Sequence, residues 1–254
     1  MFVKAPGADA EVPTRLQDER YRHLKSVLGA ADGVHVPANP PADEATRFLD
    51  RHANLTFNIL AACGFDLKFH YILSGWEGSA GDSLVYHAAR TSTWLIPTGR
   101  TYLADSGFPL CPKLLIPFPR TRYHLSEWGE GDQTVSNKEE LYNRRHAGLR
   151  SVIERAFGIM KARFKVLKTG SFFDLKTQAA LFPALAVVHN MLVADDPEDP
   201  LLVDKSTLDA LSAQDLSDSS LRATSSRIGD DEREEAATLR EKIAKRMWRH
   251  YNQQ

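Results

Sequence analysis

The sequence predicts an α/β protein, a mixed sheet with helices on both sides. Three observations predict it. An apolar strand-like run comes first, a hairpin of two further apolar runs follows it, and short strands then give way to long helical periodicities. That order needs an antiparallel start and a later crossover, so the sheet is mixed and both faces are covered. With 254 residues, 43% of them hydrophobic, the chain can bury a sizeable core.

The elements follow in order. Residues 1–24 are polar, contain Pro6, Gly7 and Pro13, and read as a tail. Val27 to Val36 is a buried strand interrupted by Asp32, and Pro37 ends it. Leu55 to Phe65 and Leu67 to Leu73 pair as strands, with Gly64 and Asp66 marking a tight turn. The loop from Gly75 to Gly81 leads into a helix from Asp82 to Arg90. Short strands are expected at Thr101 to Ala104, stopping at Asp105, and at Leu114 to Phe118. A polar loop from Pro119 to Ser136 precedes two helices, Lys138 to Arg145 and Gly148 to Val166, and an apolar helix from Leu175 to Val193. The main domain is thus 25–193, with an element order that an RNase H-like fold has. Residues 194–231 form an acidic, Ser-rich linker. A C-terminal helix over 232–254 places Ala236, Leu239, Ile243, Ala244 and Met247 on one face.

The net charge of −1 gives a nucleic-acid reading no support, but the distribution is uneven. Arg144 to Lys168 holds eight Lys or Arg and one acid, Glu154, while Asp195 to Asp218 holds eight acids and one base, Lys205. A basic segment can neutralise phosphates locally even in a neutral protein, although such a run is also an ordinary solvated helix face. Cys63 and Cys111 form no C-x-x-C pair and are expected as small buried apolar groups. No stretch is expected to cross a bilayer, and Met1 to Pro13 lacks the apolar core of a secretory signal, so the chain is expected inside the cell.

Three acids stand where apolar or small residues are expected: Asp32 within one strand, Asp105 at the end of another, and Glu154 on a basic and apolar helix. A buried carboxylate is costly unless paired or metal-bound, so three in one domain suggest a shared cation. Oxygen ligands from several carboxylates suit two Mg²⁺ ions and the cutting of a phosphodiester. At about 100° per residue, Arg150, Glu154 and Lys161 point within about 40° of one another. Arg150 and Glu154 are also an i,i+4 pair that could merely stabilise the helix.

Ordered motifs carry a resemblance. Ala30-Ala-Asp32-Gly-Val-His35, Gly75-Trp-Glu-Gly-Ser-Ala-Gly-Asp82, Tyr102-Leu-Ala-Asp105-Ser-Gly-Phe-Pro109, Tyr123-His-Leu-Ser-Glu-Trp128 and Val152-Ile-Glu154-Arg-Ala-Phe-Gly158 resemble, in sequence, the PIF/Harbinger-type DDE transposases and the nucleases derived from them. Arg150, Glu154 and Lys161 also fit the R-x3-E-x6-K signature of related bacterial transposases. Val34 stands where that family usually has Thr, and Ala147 where the bacterial relatives have Tyr.

The resemblance implies Asp32, Asp105 and Glu154 as catalytic residues and ligands of Mg²⁺ or Mn²⁺, two ions in all. Asp82 and His35 are auxiliary candidates, Asp82 also being a candidate helix cap. Arg150, Lys161, Arg155, Arg163 and Lys165 are candidates for DNA phosphates. His124, Trp76 and Trp128 are placed near substrate or in packing, and the His189-Asn190 pair in the core. The implied partners are DNA and a separate Myb/SANT-like DNA-binding protein, and the implied location is the nucleus, with the cytoplasm as the alternative. Few residues precede Asp32, so the family's upstream helical module is expected to be truncated or lost. The expected function is a metal-dependent DNA endonuclease. The alternative is a catalytically silent domesticated transposase acting as a nuclear interaction protein, and a ribonuclease of the same fold is the weakest reading.

Overall fold

The computed structural model describes residues 2–123, 135–203 and 228–253. The strands are β1 (Val27–Pro37), β2 (Thr56–Cys63), β3 (Phe69–Glu77), β4 (Thr101–Leu103) and β5 (Leu114–Leu115). The helices are α1 (Ala45–Phe48), α2 (Asp82–Ser92), α3 (Lys138–Arg163), α4 (Val166–Thr169), α5 (Leu175–Asp195), α6 (Pro200–Val203) and α7 (Asp230–Tyr251). The strands form one sheet in the order β3-β2-β1-β4-β5. β1 runs antiparallel to β2 and β2 to β3, whereas β4 lies parallel to β1 and β5 parallel to β4. This is the mixed, helix-flanked sheet of an RNase H-like α/β fold.

Alternation along the strands separates two cores. Ala30, Val34 and Val36 of β1 face one cluster with Leu149, Ile153 and Phe157 of α3, Phe182 of α5 and Met247 of α7. Ala31 of β1, Leu60 and Ala62 of β2, and Tyr102 and Ala104 at β4 face the other, with Val85 and Tyr86 of α2. The expected hairpin turn is present: Gly64 N–H donates to the Lys68 carbonyl at 2.9 Å. Both cysteines are free and buried.

Several expectations need correction. The two helices expected on either side of Gly148 are one, because Leu141, Tyr142, His146, Leu149 and Ile153 bury continuously along it. That burial outweighs the roughly 1 kcal/mol an interior glycine costs. β3 runs on through the expected loop as far as Glu77, pairing Trp76 with Asn58 after an irregularity, and Gly75 accommodates the bend at φ 96°. The second short strand stops at Leu115. The N-terminal segment packs on the body: Leu16 is fully buried, and Arg100 donates to the Ala8 carbonyl at 3.0 Å. α5 is, against expectation, long and apolar enough to cross a membrane by length and composition. One side of it nevertheless lies on the sheet, where Asn190 accepts from Phe69 N–H at 2.8 Å. His124, Glu127, Trp128 and most of the acidic linker fall outside the described residues.

Candidate active site

Asp32 and Asp105 come together through strand pairing. Ala30 of β1 lies opposite Leu103 of β4. Continuing that parallel register by two residues sets Asp105 level with Asp32. Alternation turns both toward α3, because Ala30, Val34 and Leu103 belong to the core on that side. The Asp105 turn is held by its own carboxylate, whose Oδ1 accepts from Gly107 N–H at 2.8 Å. Asp105 is only 3% exposed.

α3 crosses above and supplies Glu154 and, one turn earlier, Arg150. The Arg150 guanidinium is the hub of the site. Nη1 donates to Asp32 Oδ2 at 2.6 Å, Nη2 donates to Glu154 Oε1, and Nε donates to the Tyr123 hydroxyl at 2.8 Å. Tyr123 lies 3.2 Å from His146 Nδ1, and His146 Nε2 is 2.7 Å from the Leu115 carbonyl. Thus Asp32 and Glu154 are joined through one buried cation, and a tyrosine and a histidine fix its orientation.

Burial dominates the electrostatics. It pushes the Asp32 carboxyl well above the usual range; Arg150 opposes this, and Asp105, Asp82 and Glu154 add to it. Burial likewise raises Asp105 to about 6, with Arg150 opposing and Asp82 reinforcing. Burial lowers His146 to about 3, so it is neutral, and raises Tyr123 to about 12, so it keeps its proton. For Arg150 the burial penalty is overcome by Tyr123, Asp32, Glu154 and Asp105, which hold it charged.

The auxiliary candidates Asp82 and His35 make their hydrogen bonds to neighbours other than Asp32, Asp105 and Glu154, although the charge of Asp82 is felt by both aspartates. Asp82 is the first residue of α2, and Gly81, not Asp82, occupies the cap position. Its Oδ1 accepts from Asn58 Nδ2 at 3.0 Å. A Cβ on Gly33 would come within 2.2 Å of that oxygen, so Asp82 packs against the α2 face of β1, opposite the face that carries Asp32. Burial raises Asp82 as well. His35 bonds Thr56 Oγ1 at 2.8 Å. His189 meets the Leu67 carbonyl at 3.0 Å, a core role as expected. Among the phosphate candidates, Arg155 donates to the Leu202 carbonyl and Arg163 pairs with Asp199, so both tie α3 to α6. Lys161 is half-buried at the end of α3, and Lys165 is exposed just beyond it.

Among the described residues, no three His, Cys, Asp or Glu side chains form a ready metal-ligand group. The acids are expected to share a cation, and Arg150 pairs with two of them. The donor chemistry still suits a hard divalent cation: three carboxylates, one on β1, one just past the end of β4 and one on α3, all largely withdrawn from water. Sequence reasoning missed Tyr123 and His146 as supports. The signal available was their place within or beside the quoted motifs, without any periodicity to assign them.

A mixed sheet with one acid on its central strand, a second just past the end of the neighbouring parallel strand and a third on the helix above is an arrangement of the RNase H-like fold class. The chain belongs to the DDE superfamily endonuclease family, whose profile matches residues 31–190. It is 27% identical over 198 residues to the rat (Rattus norvegicus) protein named "Putative nuclease HARBI1", covering 75% of this chain and 53% of that protein. It is 26% identical over 248 residues to "Protein ALP1-like" of Arabidopsis thaliana, covering 90% and 55% respectively. The human (Homo sapiens) protein of the first name is 25% identical over 198 residues, covering 75% and 53%. These relatives are derived from Harbinger transposases, in line with the resemblance read from the motifs. The chain spans about half the length of the curated relatives it matches. No solved structure matches it.

Proposed function

We propose that this chain is a metal-dependent DNA endonuclease of transposase origin that hydrolyses phosphodiester bonds. What supports the reading is the β1–β4 register, which runs toward Asp32 and Asp105, together with Arg150 bridging Asp32 of the strand and Glu154 of the helix. Asp32, Asp105 and Glu154 would hold Mg²⁺ or Mn²⁺, two ions in the expected arrangement. Bound there, the cations supply an activated water and stabilisation of the leaving 3′ oxygen.

The chain's own residues do the rest. Arg150 neutralises Asp32 and Glu154, and its guanidinium would be placed beside a substrate phosphate at the site. Tyr123, through its hydroxyl, keeps that guanidinium near the acids throughout. Lys161, on the same border of α3, adds a second phosphate contact. Such contacts carry no base information, so target choice rests on a separate DNA-binding partner, Myb/SANT-like in the resembled family, acting in the nucleus.

A second reading, a silent interaction protein, draws on the Arg150 bridge: two acids already satisfied by a guanidinium need no metal. Incubation of supercoiled DNA with the purified chain in Mg²⁺, Mn²⁺ or chelator separates the two. Nicking in either metal, absent in chelator and absent in Asp105→Asn, is the endonuclease result. Intact DNA throughout is the result of the silent protein.

A further inference from the structure

Among the described residues, the side of α5 turned away from the sheet has no packing partner, although it is apolar. Ala180, Ala184, Val188 and Met191 recur at steps of three and four residues and are exposed, Val188 at 43% and Met191 at 45%. Phe172 and Phe173, just before the helix, are 95% and 62% exposed, and Leu192 in its last turn is 36% exposed. The opposite side, with Phe182, Ala186, His189 and Val193, is fully used by the sheet and its core. A continuous exposed apolar strip on a well-anchored helix marks a contact surface.

We infer that this strip binds a second copy of the same chain, α5 against α5, antiparallel about a twofold axis. The helix is self-complementary in an antiparallel arrangement. An antiparallel crossing centred between Leu185 and Ala186 sets Ala180 opposite Met191 and Ala184 opposite Val187, small against large at both levels. The same register sets Lys176 of each copy opposite Asp195 of the other, so the seam closes with an ion pair at both ends. A parallel pair would put Asp195 against Asp195 and Lys176 against Lys176. Each copy's Phe172 and Phe173 fall at the end where the other copy's Leu192 is exposed. The carboxylate site lies under α3, so pairing leaves it open.

Sedimentation velocity of the purified chain over a range of concentrations tests the inference. The wild type is expected to dimerise. Ala184→Arg, at an exposed position and so expected to leave the circular dichroism spectrum unaltered, is expected to sediment as monomer. Lys176→Glu is expected to weaken the dimer several-fold, and Lys176→Glu with Asp195→Lys in one chain to restore it. A wild type that remains monomeric at the highest concentration overturns the inference, as does a dimer indifferent to Ala184→Arg. Monomeric protein that co-sediments with phosphatidylcholine–phosphatidylserine vesicles, and loses this with Ala184→Arg, overturns it in favour of a bilayer surface. The endonuclease proposal stands or falls separately, since Ala184→Arg leaves Asp32, Asp105 and Glu154 untouched.

Discussion

Arg150 Nη1 and Asp32 Oδ2 meet at 2.6 Å across 118 residues of sequence, and both side chains are largely shielded from water. This pair fixes α3 over the centre of the sheet. It also makes the metal-free site electrically tolerable, since Asp32 and Glu154 lean on the same guanidinium.

Removing that guanidinium leaves buried carboxylates without a counter-charge. Arg150→Met is therefore expected to lower stability in chelator by about 3–5 kcal/mol. Mg²⁺ is expected to recover more of the stability of this variant than it adds to the wild type. Urea unfolding with and without the metal reads both effects. A variant as stable as wild type in chelator would show that the pair holds nothing in place.

Asp105 makes the metal-free protein sensitive to pH. Its folded value of about 6 lies above the ordinary 3.8, so between those values the folded state keeps a proton that the unfolded state has released. Stability from this group is full below about pH 4, falls as pH rises toward 6, and is flat above that. A shift of this size corresponds to about 3 kcal/mol. Depressed acids such as Asp199 and Glu241 slope the other way, so the quantity to measure is wild type minus Asp105→Asn. That difference should decline through this window in chelator; a constant difference would count against a raised Asp105.

A cation held only by the folded site stabilises it by mass action, about 2.7 kcal/mol at a hundred times its dissociation constant. Thermal melts in Mg²⁺ should show the gain in wild type and most of it lost in Asp32→Asn. An equal shift in both proteins would place the metal elsewhere.

Lys161 and Arg163 sit close together on α3 but should behave differently. Lys161→Ala is expected to weaken binding to all DNA sequences alike and to flatten the salt dependence by about one unit of slope. Arg163 is paired with Asp199, so Arg163→Ala should lower stability and leave the salt slope unchanged. Fluorescence anisotropy across a salt series distinguishes them, and an equal change in slope would contradict the assignment.

Much of this arrangement was legible in the residues. The strand order follows from Val27 to Val36, the Gly64 turn and the run before Asp105, where local apolar patterning is strong. Glu154 and Arg150 share a helix border by periodicity alone. What periodicity cannot show is the partner across the sheet: Arg150 reaching Asp32, or Tyr123 steadying Arg150, depends on how α3 lies over β1. The same limit hid Arg155 and Arg163, which read as an outward basic face and instead hold α6. Gly148 suggested a break that burial on both sides removed. β3 outran its apolar run because pairing with β2 continues through Trp76 and Glu77.

The central claim is that Asp32, Asp105 and Glu154 act as one metal-dependent cutting site. Its most direct test is single-turnover cleavage of labelled duplex DNA by wild type and Glu154→Gln in Mg²⁺, with binding measured on the same samples in chelator. The account predicts that Glu154→Gln abolishes cleavage while metal-free binding stays equal or becomes slightly tighter, because a negative charge has been removed. Cleavage by Glu154→Gln at the wild-type rate would contradict it.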